Sequence, residues 1–329
     1  MSTNPQQDTA HSRHSPHPTA TSTPTPVVTT TGITMDFGRV IALDHVDLAI
    51  PAGVTGLVGA NGAGKSTLIK ILLGLLRPTS GTAAVLGLDT ATDSAQIRRT
   101  VGYMPEHDCL PPDVSASSFV VHMGIMSGLP KATARERAAD ILRHVGLAEE
   151  RYRPMGNYST GMKQRVKLAQ AIVHDPKLVF LDEPTNGLDP AGRTDMLRLI
   201  RRIGTEFGIS VIVTSHLLGE LERVSDHAVI LDGGTLLKAS STADFTQATG
   251  ALLIEVLGGI TERDHMGEAL AAAGLTAYPE GRCVRIDDAA TDFSTHDLVR
   301  DTADQLGLGL VRIDNDQRHL QDIFEEKPA

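Results

Sequence analysis

Three short stretches of the chain place charge and hydrogen-bond donors where they could act on one anion. Gly59, Ala60, Asn61, Gly62, Ala63, Gly64, Lys65 and Ser66, with Thr67 behind them, fit the pattern G-x-x-x-x-G-K-[ST] in register. Glycines at 59, 62 and 64 let the backbone curl so that successive N–H groups face an anion at the positive end of the next helix. Lys65 adds a point charge near a nucleotide's β- and γ-phosphates, and the Ser66 hydroxyl can ligate Mg²⁺. Asp182 and Glu183 close the apolar run "KLVFLDEP" 117 positions after Lys65. Adjacent acids at a surface turn are commonly just solvated. At the end of an apolar run, Asp182 is suited to hold a metal's water shell and Glu183 to orient or deprotonate an attacking water. Ser159 and Gly161 precede a run carrying Lys163, Arg165 and Lys167, a second place where a helix N-terminus could meet an anion. A Ser and a Gly ahead of a helix are, taken alone, more often a plain cap.

These groups need elements to carry them. "GVTGLV" before the glycine loop reads as a buried strand, and "TLIKILLGLL" after it as a helix stopped by "RPTSG". "ITMDFGRVIALDHVDLAI" reads as short strands, "GTAAVLG" as another, and "IRRTVGYMP" as one more. Residues 111–156 are expected to be mostly helical, through "SASSFVVHMGIMSGL" and "TARERAADILRHVGL". The helix "MKQRVKLAQAIV", the strand "KLVFLDEP", the helix "AGRTDMLRLIRRIGTEFG" and the strand "ISVIVTSH" follow. This alternation predicts an α/β fold, a mainly parallel sheet covered on both faces. Ligands collect at the carboxyl ends of such strands, which is where His216 would sit, within reach of a γ-phosphate. A lone histidine there is otherwise structural. Beyond about residue 245, alternating strand and helix patterns predict a small α+β domain without a glycine loop or a His/Cys cluster, suited to regulation or assembly.

Composition narrows the function. The chain has 329 residues and a net charge of −10, and residues 251–329 hold sixteen acidic against seven basic side chains. No broad basic field exists, so nucleic acid is not expected as a partner. Cys109 and Cys283 are the only cysteines and lack metal-ligand spacing, which fits a reducing compartment. No run reaches 18 apolar residues, so the chain is not expected to cross a bilayer by itself, and its start lacks an apolar signal core. Residues 1–30, rich in Ser, Thr, Pro and His, read as a disordered tail whose His11, His14 and His17 are ordinary members of a polar segment.

Taken together, the motifs resemble the nucleotide-binding domain of an ABC transporter, over about Ile33 to Ser240 and in that family's order. "GANGAGKST" corresponds to its Walker A loop, "LVFLDE" to Walker B with Glu183 as catalytic carboxylate, "NGLD" ending at Asp189 to the D-loop, and His216 to the switch histidine. "YSTGM" stands where the signature is expected, so the resemblance gives Ser159 and Gly161 contacts to a partner copy's γ-phosphate. It further implies a P-loop NTPase with a mainly parallel sheet core, an antiparallel β subdomain and a helical subdomain at about 111–156. The ATP-binding domain would span 31–245, with the accessory α+β domain at 246–329.

Three positions depart from the pattern. Phe37 stands where an aromatic, most often Tyr, stacks on adenine; Glu106 stands where a glutamine is usual; Thr160 and Met162 replace a Gly and a Gln of the signature. Glu106 can still approach Mg²⁺ or water, although phosphate charge repels it. The resemblance is closest to stand-alone ATPase subunits of the multidrug and polyketide exporter type, and "RHLQDIFEE" resembles the end of that subgroup's accessory domain. It implies ATP and Mg²⁺ as cofactors and a homodimer with two ATP at its interface. The other partner would be a separate polytopic permease holding the subunit at the cytoplasmic face of the membrane. A soluble ABC ATPase acting on ribosomes or nucleic acid is the alternative. It is disfavoured by the single Walker A loop, by the 94 positions between Lys65 and Ser159, and by the acidic C-terminal part.

Overall fold

The computed structural model describes residues 25–245, 248–287 and 293–317. The expected tail up to residue 24 and the stretch "RHLQDIFEE" (318–326) lie outside the described residues. Regular structure starts earlier than the expected end of the tail. β1 (Val28–Asp36) opens with a buried Val28, and its Thr30 hydroxyl donates to the Val46 carbonyl at 2.9 Å. A turn leads to β2 (Ile41–Ile50), which pairs antiparallel with β1. β3 (Val54–Val58), α1 (Lys65–Leu72), β4 (Ser80–Val85), β5 (Leu88–Asp89), α2 (Ser94–Thr100) and β6 (Val101–Met104) follow.

The stretch "IRRTVGYMP" is therefore not one strand: it divides at Val101. Ile97 is fully buried as a helical residue, with its N–H bonded to the Asp93 carbonyl, and only Val101–Met104 pairs, parallel, with the next core strand. α3 (Ala116–Met126) and α4 (Lys131–His144) lie within the stretch 111–156 that was expected to be mostly helical. α5 (Thr160–Ile172), β7 (Leu178–Leu181), α6 (Pro190–Glu206), β8 (Ser210–Ser215), α7 (Leu218–Val224), β9 (His227–Asp232), β10 (Thr235–Ser241) and α8 (Thr242–Phe245) complete this part.

β10-β9-β3-β8-β7-β6 is the order of the central sheet, parallel throughout except for the antiparallel β10 at one edge. A second sheet, β2-β1-β4-β5, is antiparallel. Every residue of β3, β7 and β8 is buried, and their alternation sorts side chains between two cores. Val179, Leu181, Val211 and Val213 join the core under α5 and α6. Leu178, Phe180 and Ile212 join the other, with α1 and the antiparallel sheet. A strand covered on both faces offers a ligand nothing but its end. The carboxyl ends of β3, β6, β7 and β8 therefore form the edge that matters.

Beyond this come β11 (Ala248–Val256), α9 (Ile260–Ala272), β12 (Thr276–Glu280), β13 (Cys283–Asp287), α10 (Phe293–Leu306) and β14 (Leu310–Gln317), whose four strands form an antiparallel sheet ordered β12-β13-β11-β14. Leu252, Ile254, Met266, Leu270, Val284, Ile286 and Val299 give it a core of its own. β12 escapes sequence reading because Pro279 interrupts its pattern; an edge strand tolerates a proline. Among the described residues, no helix is long and apolar enough to cross a membrane.

Candidate active site

The glycine loop leaves β3 and turns directly into α1. A Cβ on Gly59 would sit 2.5 Å from the Leu231 carbonyl oxygen, and one on Gly64, at φ 97°, 2.5 Å from that of Ala42. Side chains are excluded at both positions, so the loop keeps its curl. No side chain caps α1, whose first residue is Lys65, and the positive end of the helix opens onto the cleft. Lys65 is buried, and its ammonium donates to the carbonyls of Gly59 at 2.7 Å and Ala60 at 3.1 Å. Burial pushes its pKa down from the ordinary lysine value, against the opposing pull of Glu183, Asp182 and Glu106.

The two acids stand at the end of β7 and are held from β8. The Thr214 hydroxyl donates to Asp182 Oδ1 at 2.8 Å and accepts from the Glu183 N–H at 2.8 Å. Asp182, Glu183 and Thr214 are all buried. Glu183 has φ 48°, a left-handed conformation that costs a non-glycine residue about 1 kcal/mol or more. The Thr214 bond and the Asn186 N–H donated to the Glu183 carbonyl at 3.1 Å hold it there. His216, just past β8, places Nδ1 2.9 Å from Glu183 Oε2. Glu106 follows β6, and its Oε1 accepts from Asn186 Nδ2 at 3.4 Å. Burial, and then the charge on Asp182, push the nearby Tyr103 hydroxyl up to about 12.

These groups surround a cleft of about 440 Å³. Asn61 to Thr67, Glu106, Asp182, Glu183 and His216 line it, together with Val40, Ala42 and Asn186, which sequence reasoning missed. Thr214 was missed as well; a hydroxyl in a strand buried on both faces, two residues before His216, was its available signal. Gly59 and Ala60 act through their carbonyls on Lys65. Phe37 does not line the cleft: it lies 55% exposed in the turn between β1 and β2, its N–H bonded to the Val40 carbonyl. Ser159, Gly161 and Asp189 also lie outside it. Ser159 caps α5 by accepting from the Met162 N–H at 3.3 Å, and Asp189 caps α6 by accepting from the Gly192 N–H at 3.0 Å.

The donor set suits a hard cation only in company with phosphate. Among the described residues, no cluster of three His, Cys, Asp or Glu could hold a metal by itself. Ser66, Asp182 and Glu106 supply oxygen alone, and Mg²⁺ characteristically takes few protein ligands beside substrate phosphates and water. The residues present fit that ion.

A glycine loop and helix N-terminus facing two buried acids at the carboxyl edge of a parallel sheet define a nucleoside-triphosphate hydrolase of the P-loop class. Residues 43–186 match the family model described as ABC transporter. The chain is 32% identical to the daunorubicin/doxorubicin resistance ATP-binding protein DrrA of Streptomyces peucetius, over 92% of this chain and 98% of that one. It is 37% identical to the bacitracin transport ATP-binding protein BcrA of Bacillus licheniformis, over 64% of this chain and 69% of the relative. Among solved structures, cbiO1 from Clostridium perfringens, part of the ABC transporter complex cbiONQ, matches at a TM-score of 0.62 and 25% identity. That match covers 67% of this chain and 90% of cbiO1. The dimeric ABC cassette MJ0796 matches in fold at a TM-score of 0.60 and 24% identity, over 65% of this chain and 98% of its own. The chain belongs to the ABC transporter family of ATP-binding proteins, and it is an ATPase.

Proposed function

We propose that this chain is the subunit that binds and hydrolyses ATP to drive a separate polytopic membrane permease, the work being export of a small molecule, drug or lipid-like compound. One observation carries the chemistry: Asp182 and Glu183, both fixed to Thr214, face the Lys65 loop across a single cleft. The loop and the α1 N-terminus bind the phosphates, with the Lys65 charge beside them. Mg²⁺, held by Ser66 and Asp182 with Glu106 close by, would offset phosphate charge. Glu183 takes a proton from the attacking water, whose oxygen bonds to the γ-phosphorus as the bond to the β-phosphate oxygen breaks, leaving ADP and phosphate. His216 fixes the direction of the Glu183 carboxylate.

Ser159, Gly161 and Asp189 act on the ATP of a second copy, docked head to tail so that two nucleotides lie at the interface. All three sit outside their own chain's cleft. A side chain at Gly161 would meet only ordinary contact, Leu188 Cδ2 at 3.7 Å, so its own fold does not demand a glycine there. Phe37, on the exposed turn, meets the adenine as a stacking surface. Transport follows from the length of the match to a drug-resistance ATP-binding protein. On this reading the chain works at the cytoplasmic membrane face, held there by the permease.

A pull-down tests the function. Glu183→Gln protein, loaded with ATP and Mg²⁺, is used as bait in detergent-solubilised host membranes. A stoichiometric polytopic membrane protein is expected; ribosomes or nucleic acid on the bait would overturn the transport reading and leave the ATPase standing.

A further inference from the structure

α5 and the chain segment 101–108 are joined by polar contacts along one stripe of the helix. Lys163 Nζ donates to Asp108 Oδ2 at 2.8 Å, and one turn further on Lys167 Nζ donates to the Glu106 carbonyl at 2.7 Å. The stripe continues with Gln170 Nε2 donating to the Tyr103 carbonyl at 3.3 Å. Positions 163, 167 and 170 are spaced four and three apart, so they share one helix face. β6 lies so close to α5 that a Cβ on Gly102 would come within 1.9 Å of the Ala171 carbonyl oxygen.

Lys167 is the unexpected member. It is 2% exposed, lies outside the nucleotide cleft, and hydrogen-bonds a main-chain carbonyl rather than a carboxylate. Burial depresses its pKa below the ordinary lysine value, so its position costs free energy that a methionine there would not. A buried ammonium is a poor choice for filling space and a good one for gripping a loop.

We infer that Lys163 and Lys167 are positioning residues that clamp the Glu106 loop to α5, so that Glu106 at one ATP and Ser159 at the N-cap of the same helix move as one body. The inference rests on the proposed reading of Ser159 as a group that acts on a partner copy's nucleotide. The clamp gives that reading a route: displacement of residues 106–108 at the chain's own cleft is delivered to the α5 N-terminus by two contacts instead of being lost in a slack loop. Phosphate binding to the isolated chain does not require it, since neither lysine lines the cleft.

The test uses full-length Lys167→Met, Lys167→Arg, Lys163→Met and the charge-reversed pair Lys163→Asp/Asp108→Lys, with Ser159→Glu as a separate probe of the underlying reading. The clamp predicts ATP affinity of the monomer within about twofold of the parent but kcat and ATP-driven dimerisation reduced by about tenfold in both Met variants. It also predicts recovery in Lys167→Arg and in the reversed pair. Lys163→Met carries the prediction should Lys167→Met fail to fold, because the Lys163–Asp108 pair is partly exposed. Unchanged kcat in folded Met variants, alongside a large loss in Ser159→Glu, would overturn the clamp. Unchanged kcat in Ser159→Glu would overturn the reading beneath it.

Discussion

The Thr214 hydroxyl and Asp182 Oδ1 lie 2.8 Å apart, and the same hydroxyl accepts from the main chain of Glu183. One uncharged side chain on β8 thus orients both acids at the end of β7. Thr214→Val keeps shape and strand propensity but leaves a buried N–H and a carboxylate oxygen without that partner. The expected cost is about 1–3 kcal/mol of stability, read by denaturant unfolding, and about tenfold or more in kcat with ATP affinity retained. A Val variant with parental turnover would show that Glu183 needs no such support.

Glu183→Gln removes the proposed proton acceptor while keeping the side chain's length and its place beside His216. ATP hydrolysis should fall by about a hundredfold or more, with ATP still bound and closed dimers accumulating in light scattering. Turnover near the parent's would remove Glu183 from the chemistry.

Lys65 should make ATP binding sensitive to alkali. Its proton is held less tightly than an ordinary lysine's because it is buried, and only the charged form attracts phosphate. Affinity measured in the unliganded protein should therefore weaken as pH rises, beginning below the ordinary lysine range. Lys65→Arg, charged throughout, should lack that limb even where its affinity is lower overall. A parent profile that is flat into the ordinary lysine range contradicts this.

Much of the site was legible because its chemistry is local in sequence. A run of eight residues needs no tertiary knowledge to be read as a phosphate loop, and two acids ending an apolar strand announce their own position. What stayed hidden depends on pairing across the sheet. Thr214 looks like one more β-branched residue until β7 and β8 align and place its hydroxyl between two acids. Asn186 lines the cleft just after the chain turns back at Glu183, φ 48°, a turn closed by the Asn186 N–H on the Glu183 carbonyl. The same cause explains errors in the fold. Ile97 to Thr100 read as strand because a short helix with one buried position has no period to detect. β12 was lost because its neighbours, not its composition, make Pro279 acceptable.

The first residues of β1 give a further test. Deleting residues 1–30 would remove the start of β1, including the buried Val28 and the Thr30 bond to Val46. The loss should be about 2–4 kcal/mol, from one buried aliphatic side chain and one buried hydrogen bond. Deletion of residues 1–24 spares both groups and should leave stability and ATPase rate near the parent's. Equal unfolding midpoints for the two truncations would mean that β1 does not depend on its first residues.

Asp226 ties the core together in a way that pH can release. Its Oδ2 accepts the Val54 N–H at 2.9 Å at the start of β3, and its Oδ1 accepts from Arg201 of α6 at 2.6 Å. Burial acts to raise its pKa, but the Val54 N–H and the Arg201 guanidinium outweigh it and hold the carboxyl below the usual aspartate value. A carboxylate depressed in the folded state contributes stability that is complete above its unfolded value, about 3.9, and is lost as pH falls through the folded one. Asp226→Asn should therefore unfold at lower denaturant than the parent at neutral pH. Because the Asn variant cannot gain or lose that proton, the gap between the two should narrow only on the acid side of about pH 4. A gap that is constant from neutral pH to strong acid would show that Asp226 acts by shape and hydrogen bonding alone, its charge contributing nothing to the hold between β3 and α6.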